Sequence, residues 1–478
     1  LPKRLVSDFL VFFEAIESPI AIRSSSLLED SQYQPFAGIY STYMIPYVSD
    51  KYMMVRLMSD AIKAVYASVF YSDSKAYMSA TQNLIDQEKM AIVLQEVVGS
   101  RYDKLYYPAI SGVARSINYY PIGNEKTEDG IVNMAFGLGK YIVDGNIGLR
   151  FSPLHTSNIL QLSTVDLALR DTQTSFYALD LDSVSKDFTV DDSFNLLKVR
   201  LKVAEKAGPL RYIASTYDPQ DQIIREGYYE GGRKIVSFAN ILQHDMFPLA
   251  EVFEKLLKAG QKEMGRPVEI EFAVDIVDQK HASFYVLQIR PIVDSREVMH
   301  ENLEEINNDD TILFSRNALG HGVVDDVYDV VYVKTKSFNA SKNSLVAREI
   351  ERLNAEFLSS GNNYVLVGPG RWGSSDPWLG IPVKWPHISQ AKIIVESGME
   401  NYRIEPSQGT HFFQNLTSFG VGYFTVNPFL ENDGYFDENF LNEQPAIFET
   451  EYIRHVRFEN PVIIKINGKK RMGVVMKP

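Results

Sequence analysis

The sequence predicts an α+β fold in two parts. Its 478 residues exceed the roughly 250–300 at which single cores stop growing, and 45% of them are hydrophobic. Stretches with apolar residues at helical spacing are interleaved with strand-like alternating or continuous apolar runs. The acidic, Asn-rich segment 301–311 is interpreted as a linker. We therefore expect a larger module over 1–300 and a smaller α/β domain over 312–478.

The individual elements follow from apolar spacing and from turn residues. Helices are expected where apolar residues recur every three to four positions, and the third of them, 247–264, ends before a Gly-Arg-Pro stop signal. An antiparallel hairpin is expected where two alternating runs flank a short polar stretch. The predicted helices are 52–71, 194–206, 247–264, 345–358 and 387–396, and the predicted strands are 90–98, 112–119, 268–274 and 284–291.

Composition narrows the classes of partner. The net charge of −13 and the pI of about 5.2 disfavour nucleic acid and membrane surfaces, because both are anionic. Cysteine is absent, which excludes disulfides, thiolate metal sites and a cysteine nucleophile. No apolar run reaches the ~20 residues of a membrane helix. We expect a cytoplasmic location, and the N-terminus without Met predicts that more polypeptide lies upstream.

Two runs near the N-terminus, AIRSSSLLED and FAGIYST, carry the first motif. Arg23 at a strand end offers a planar fork of donors for phosphate oxygens, and Gly38 lets a loop approach a polyphosphate closely. The runs resemble the phosphate-binding segment of the phosphoenolpyruvate synthase and pyruvate phosphate dikinase family. That resemblance implies that Arg23, Ser24 and Gly38 contact ATP. The alternative is a structural ion pair of Arg23 with Glu29 or Asp30.

A second run, AIVLQEVV, resembles the hinge strand of the same family. The resemblance implies that Gln95, Glu96, Val97 and Val98 surround the adenine, with backbone groups at its edge. Val97 stands where the family usually has Met. The alternative is an ordinary core strand.

A third run, AFGLGK, resembles the family's Ala-Trp-Gly-Leu-Gly-Glu segment. Gly137 and Gly139 imply a tight backbone path that would suit contact with the cofactor, although a plain turn explains the pattern equally well. Lys140 replaces the family's Glu, and Arg150 lies where a Pro-Asp pair is expected. These departures weaken any charge-dependent role for this segment.

The predicted hairpin is the most informative motif. Glu269 and Glu271 are two residues apart and share one face of a strand, as do Gln288 and Arg290 on the partner strand. A turn centred at 279–280 places the two pairs opposite each other. Carboxylate and amide oxygens are ligands that Mg²⁺ prefers. This pattern and the resemblance assign Glu271 and Gln288 to Mg²⁺, and Glu269 and Arg290 to the nucleotide. The alternative is a solvated strand pair with a Glu269–Arg290 ion pair.

The C-terminal region resembles the family's swivelling phosphohistidine domain only weakly. His411, in the run SQGTH, is a candidate carrier of the phosphoryl group, with a hydrogen-bonded turn histidine as the alternative. The run GPGRWGSS at 368–375 fits either an anion-binding loop with Arg371 or a rigid turn.

The resemblance implies an ATP-grasp-like module that binds ATP and Mg²⁺, with a smaller α/β domain following it. Arg23, Arg290 and His411 would then act in transfer of a phosphoryl group to a histidine or a small-molecule acceptor. The family's Gly-Gly-Lys motif and its catalytic cysteine do not occur in this sequence. The missing lysine motif and the replacement at Lys140 favour the main alternative, a sensor that binds ATP without turnover. The missing cysteine means that this chain is not a complete synthase. A structural or carbohydrate-binding protein would require an inert, solvated hairpin.

Overall fold

The chain forms two compact units. Unit 1 comprises Leu1–Val143 and Ile147–Ile292, and unit 2 comprises Asp144–Asn146 and Val293–Pro478. The computed structural model describes residues 2–29, 36–79, 88–183, 188–205, 208–292, 303, 306, 308–400, 402, 409–419, 421–430, 433–468 and 470–478.

Unit 1 mixes helices with antiparallel sheets. Its helices are α1 Lys3–Ala15, α2 Lys51–Ser68, α3 Ser72–Ser79, α4 Lys140–Val143, α5 Val165–Arg170, α6 Leu201–Ala204, α7 Leu210–Ile213, α8 Ala239–Leu242 and α9 Leu249–Met264. Its strands are β1 Ile20–Ser26, β2 Tyr43–Ile45, β3 Met90–Glu96, β4 Ser100–Tyr102, β5 Leu105–Tyr107, β6 Ile110–Arg115, β7 Ile131–Ala135, β8 Leu149–Phe151, β9 Ser175–Asp180, β10 Leu196–Arg200, β11 Ala214–Asp218, β12 Ile223–Arg225, β13 Arg233–Val236, β14 Val268–Ile276 and β15 Ala282–Pro291.

Two of the unit 1 sheets frame the site. The first has the order β2-β1-β3, and the second has the order β15-β14-β6-β7-β8. The first is covered by α1 and α2, whose apolar faces share a core with β1. The second packs on α9, where Phe253 and Leu257 meet Ile270 and Phe272 of β14. Helices on one face leave the opposite face of the second sheet for polar side chains.

Local sequence explains why the two supporting helices begin and end where they do. Asp50 caps α2 because its carboxylate accepts the backbone N–H groups of Tyr52 and Met53 at 2.9 and 3.3 Å. Helix α9 ends at Gly265, whose φ of 66° lies in the left-handed region that glycine adopts without strain. The prediction of a helix over 247–264 is confirmed.

Unit 2 is built on one large mixed sheet. Its helices are α10 Asn343–Ser360, α11 His411–Phe419 and α12 Glu438–Glu443. Its strands are β16 Thr311–Ser315, β17 Asn317–Leu319, β18 His321–Val333, β19 Tyr364–Pro369, β20 Arg371–Trp372, β21 Gly380–Ile381, β22 Ala391–Ser397, β23 Gly422–Val426, β24 Gly434–Phe436, β25 Ala446–Glu449, β26 Ile453–Asn467 and β27 Met472–Met476. Strands β18, β19, β22 and β23 run parallel, and α10 and α11 connect successive members of this set.

The α+β class is confirmed, and so are the helices at 52–71 and 345–358 and the hairpin. None of the helices in the described part of the chain is both long and apolar enough to cross a membrane. Residues 301, 302, 304, 305 and 307 of the predicted linker 301–311 lie outside the described residues. Leu303, which is described, is buried with Phe314 and Val474 of unit 2.

Two predicted helices are wrong. The segment 194–206 contains strand β10 followed by the single turn α6, because pairing of β10 with β9 overrides an ambiguous apolar spacing. The segment 387–396 contains most of strand β22. Its Ile-Ile-Val run consists of β-branched residues that suit a strand buried between parallel neighbours.

Candidate functional site

The hairpin of β14 and β15 has the predicted register at its polar end. Glu271 lies opposite Gln288, and Glu269 lies opposite Arg290. The pairing next to the turn differs from the predicted one. There, Ile276 lies opposite Ala282, which is one residue out of the alignment seen at the polar end. A β-bulge beside Glu271 then shifts the pairing by one residue. The bulge thus brings the polar side chains of both strands to one face.

Arg23 joins the two sheets at this face. Its Nη2 donates to Gln288 Oε1 at 2.7 Å and to Glu271 Oε2 at 3.2 Å, and its Nη1 donates to Gln95 Oε1 at 3.1 Å. Gln95 also donates from Nε2 to the backbone carbonyl of Leu287, at the bulge, at 3.3 Å. Glu29, the alternative partner of Arg23, instead accepts a hydrogen bond from the hydroxyl of Ser24. Asp30, the other alternative, lies outside the described residues. Arg23 is therefore joined to the hairpin residues.

Arg290 is buried yet incompletely hydrogen-bonded. It is 8% exposed, its Nη2 donates to Gln288 Oε1, and the same nitrogen lies 3.4 Å from Glu271 Oε1. Its Nε and Nη1 are buried and have no acceptor among the described residues. On the same face, Nδ2 of Asn133 in β7 is also buried without a partner in the described chain. Such groups are costly to bury unless a ligand completes their hydrogen bonds.

The structure adds Arg115, which sequence reasoning missed. Arg115 ends β6 directly opposite Glu269, and its Nε donates to Glu269 Oε2 at 2.6 Å. Both side chains are almost fully buried, at 3% and 4% exposure. The alternative ion pair of Glu269 with Arg290 is not formed, because the carboxylate is paired with Arg115. The contact of Glu269 with the cofactor stays a prediction. The only signal in the sequence is a charged residue at the end of the run ISGVAR.

The residues assigned to Mg²⁺ fit that ion by donor type. Glu271 and Gln288 each direct a hard oxygen towards one point, since both oxygens accept from the same Arg23 nitrogen. No group of three or more His, Asp or Glu side chains able to hold a metal occurs within the described ranges. An ion held here would need further oxygens from water or phosphate, as is usual for Mg²⁺ in nucleotide sites.

The loop that follows β1 is organised by a buried carboxylate. Glu29 Oε1 accepts the backbone N–H groups of Ile39 and Tyr40 at 3.2 and 3.4 Å, next to Gly38 with a φ of 64°. Ser24 donates to the same carboxylate through its hydroxyl. Ser24 is therefore engaged with the loop, and Gly38 occupies the left-handed conformation that its position requires.

Strand β3 is one of the two edge strands of the first sheet among the described strands. Val97 N–H donates to the carbonyl of Pro19 at 2.9 Å, so residues an even number away from Val97 also face β1. Glu96 alternates with them and turns its backbone groups outward. The carbonyl of Val97 accepts from Tyr106 Oη at 3.1 Å, and burial together with Asp275 raises the pKa of Tyr106 to about 12. Of the predicted hinge residues, Gln95 and Val97 therefore have backbone N–H groups committed to the sheet.

The two glycines of the third motif differ in what they require. Gly137 has a φ of 92°, and an added Cβ would lie 2.7 Å from the carbonyl oxygen of Tyr177. At Gly139 an added Cβ would lie 3.7 Å from Ser111, which is ordinary contact. Only Gly137 is needed by the backbone path. Arg150 is buried and makes two hydrogen bonds to the Glu125 carboxylate, consistent with a structural role.

The glycine-rich run of unit 2 is a closed turn. Arg371 N–H donates to the carbonyl of Leu379 at 3.1 Å, and Gly373 N–H donates to that of Ile381 at 2.9 Å. Trp372 N–H donates to the buried Glu396 carboxylate at 3.1 Å. With these amides satisfied, the rigid-turn interpretation is favoured over the anion-binding loop. His411 begins α11, directly after a segment that is mostly outside the described residues.

Comparison of the sequence with known proteins gives a family match and several relatives. The model of the family "Pyruvate phosphate dikinase, AMP/ATP-binding domain" matches residues 1–311. The phosphoenolpyruvate synthase of Aeropyrum pernix is 25% identical over 279 residues, covering 58% of this chain and 29% of that protein. A probable phosphoenolpyruvate synthase of Pyrococcus horikoshii is 24% identical over 318 residues, covering 65% and 30%.

A third relative is the uncharacterised phosphotransferase YvkC of Bacillus subtilis, which is 30% identical over 147 residues, covering 31% of this chain and 16% of that protein. The chain thus spans no more than 30% of the length of these three relatives. The predicted resemblance of the N-terminal part to the ATP-binding module of this family is confirmed. Because the family model covers well over half of its residues, this chain belongs to the pyruvate phosphate dikinase AMP/ATP-binding domain family.

Proposed function

We propose that this chain binds ATP with Mg²⁺ on the polar face of the second sheet and serves as the ATP-using part of a phosphotransferase. The observation that carries the proposal is Arg290, whose buried Nε and Nη1 have no acceptor among the described residues. Phosphate oxygens supply the acceptors that these two nitrogens need, and a guanidinium makes strong, charge-assisted hydrogen bonds to phosphate. Membership of an AMP/ATP-binding family supports the nucleotide as the source of that phosphate.

The remaining residues of the face have complementary roles in this proposal. Glu271 and Gln288 hold Mg²⁺, which neutralises phosphate charge when bound. Arg23 then exchanges its hydrogen bonds with these two oxygens for bonds to phosphate. Catalysis of this kind consists mainly of positioning the phosphates and neutralising their charge.

The adenine is proposed to lie along the edge of β3. Glu96 directs its backbone N–H and carbonyl away from β1, where they can meet the edge of a base. Val98 lies two residues after Glu96, so its backbone groups are directed the same way. Ser24, Gly38 and Gly137 shape the loops around the site.

The acceptor side of the proposal is a histidine or a small molecule, with His411 as the candidate carrier. Incubation of the chain, within its longer polypeptide where one exists, with ATP labelled at the β or γ position tests this. Label on the protein that disappears in His411→Asn supports the carrier, whereas unchanged labelling of that variant excludes it. Tight ATP binding with no AMP, ADP or label transfer would favour the sensor.

Calorimetric titration tests the binding proposal itself. Wild-type protein is titrated with ATP in the presence and absence of Mg²⁺, beside Glu271→Ala and the control Glu263→Ala, an exposed residue of α9. We expect Glu271→Ala to lower the Mg²⁺-dependent affinity at least roughly 10- to 100-fold, which is the loss caused by removing even an outer-shell partner of a metal ligand. The control should match wild type. Absence of ATP binding by the wild-type chain with Mg²⁺ would refute the proposal.

A further inference from the structure

Glu269 lies between two arginines on neighbouring strands. The register places Arg290 of β15 opposite it on one side and Arg115 of β6 opposite it on the other. Directly opposed residues of antiparallel strands have Cβ atoms only about 4.5–5.5 Å apart. Each arginine is therefore within reach of the same carboxylate, and the two compete for it.

Arg115 holds this carboxylate. Its Nε and Nη2 both approach Glu269 Oε2, at 2.6 and 2.5 Å, in surroundings from which water is almost excluded. Glu269 makes no ion pair with Arg290 in the described part of the chain. Arg290 instead contacts Gln288 and Glu271 through Nη2 alone, which leaves Nε and Nη1 unpaired.

The two observations are physically linked. A carboxylate that is 4% exposed requires a cationic or hydrogen-bonding partner, because an unpaired buried charge is strongly unfavourable. Without the charge of Arg115, the nearest cation on the adjacent strand is Arg290, whose unpaired N–H groups would turn to Glu269. The nitrogens proposed to bind phosphate would then be occupied by the protein.

We propose that Arg115 is a positioning residue that binds Glu269 and thereby keeps the guanidinium of Arg290 available to the polyphosphate. The inference rests on the proposed function, since it concerns the same nucleotide site. It makes Arg115 and Glu269 determinants of nucleotide affinity that do not themselves contact the nucleotide. Both residues act only through the charge that they cancel in each other.

Three variants test this by calorimetric titration with Mg²⁺ and a non-hydrolysable ATP analogue, with thermal unfolding measured in parallel. Arg115→Met removes the competing cation and should weaken binding roughly 10- to 100-fold, as loss of a hydrogen bond to a charged group does. Arg115→Lys retains the charge and should bind within about threefold of wild type. The double variant Arg115→Met/Glu269→Met removes both charges, so no carboxylate is left to capture Arg290, and affinity should return nearly to the wild-type value. The double variant should also fold, because buried ion pairs are often replaced by apolar residues without loss of stability.

The recovery in the double variant is the decisive result, because a merely structural role for Arg115 would not predict it. Equal affinity of Arg115→Met and wild type, or weak binding by the folded double variant, overturns the inference. If Arg115→Met does not fold, the double variant decides alone by the same criterion. Failure of the wild-type protein to bind the analogue would instead refute the proposed function.

Discussion

The polar face of unit 1 and the glycine-rich turn of unit 2 look alike in the sequence and differ in the structure. Each joins an arginine to the end of a strand, and each suggests an anion site. In unit 1, Arg290 is buried with two N–H groups that have no acceptor in the described chain. In unit 2, the amides of Arg371, Trp372 and Gly373 all have acceptors within the same unit.

This difference shows which property marks a binding site. An arginine close to the end of a strand occurs in both segments. On the polar face of unit 1, the fold leaves buried hydrogen-bond donors without acceptors in the described chain. This distinguishes the two segments, because buried polar groups are rarely left without partners. A ligand at the first site would complete the hydrogen bonds, whereas a ligand at the second would have to break existing ones.

The largest expected effect concerns an arginine whose bonds are satisfied within the protein. Arg150 makes hydrogen bonds to Glu125 and to the carbonyl of Tyr120, all buried. Arg150→Met should lower the free energy of unfolding by about 3–5 kcal/mol, because it leaves the Glu125 carboxylate buried and unpaired. Urea denaturation measures the loss. Nucleotide affinity of the folded fraction should not change, and a selective loss of affinity would contradict this assignment.

Arg290→Met should show the opposite behaviour. Removing the guanidinium, whose Nε and Nη1 have no acceptor in the described chain, should weaken binding of ATP with Mg²⁺ by roughly 100-fold, about 2.7 kcal/mol, with little change in unfolding free energy. Calorimetric titration measures the affinity.

Arg371→Met in the turn of unit 2 is the matched control for Arg290→Met, and it should bind like wild type. If Arg371→Met loses affinity for ATP and Arg290→Met does not, the nucleotide contact belongs to the turn of unit 2 and not to the polar face of unit 1.

Arg23→Lys tests whether the planar fork matters as well as the charge. Arg23 bridges Gln95, Glu271 and Gln288 through two nitrogens, which the single ammonium of lysine cannot reproduce. We expect affinity for ATP to fall about tenfold, or about 1.4 kcal/mol. Lys63→Arg on α2, outside the site, serves as the control. Wild-type affinity in Arg23→Lys would show that charge alone suffices.

The smallest effect concerns pH. Burial raises the pKa of Tyr106 to about 12 in the folded chain, from an ordinary value of about 10, so the folded state favours the protonated hydroxyl. Its contribution to stability is complete below pH 10 and is lost as pH rises towards 12. Denaturation between pH 9 and 11.5 should show a shallower decline in Tyr106→Phe than in wild type. An equal decline of stability in both proteins would show that Tyr106 does not contribute to the pH dependence.

The hairpin register was predictable because side chains alternate with period two and the polar turn limits the alignment. Glu271 and Gln288 could therefore be placed opposite each other from the sequence. The bulge could not be predicted, since no glycine marks it. The pair of Arg115 and Glu269 was equally hidden, because it depends on β6 and β14 becoming neighbours across more than half of unit 1.

Errors elsewhere have a similar origin. The residues of β10 have an apolar spacing that suits either a helix or an edge strand, and pairing with β9 decides between them. The run 368–375 kept two interpretations open until its amide partners were known. The local sequence pattern thus predicted which residue types lie at the site. Which residues pair with each other could be known only from the tertiary structure.

The most direct test is an experimental structure of the chain with Mg²⁺ and a non-hydrolysable ATP analogue. We predict a phosphate oxygen within about 3 Å of Arg290 Nε or Nη1 and the cation on Glu271 and Gln288. A nucleotide bound elsewhere, with those two nitrogens still lacking an acceptor, would contradict the central claim.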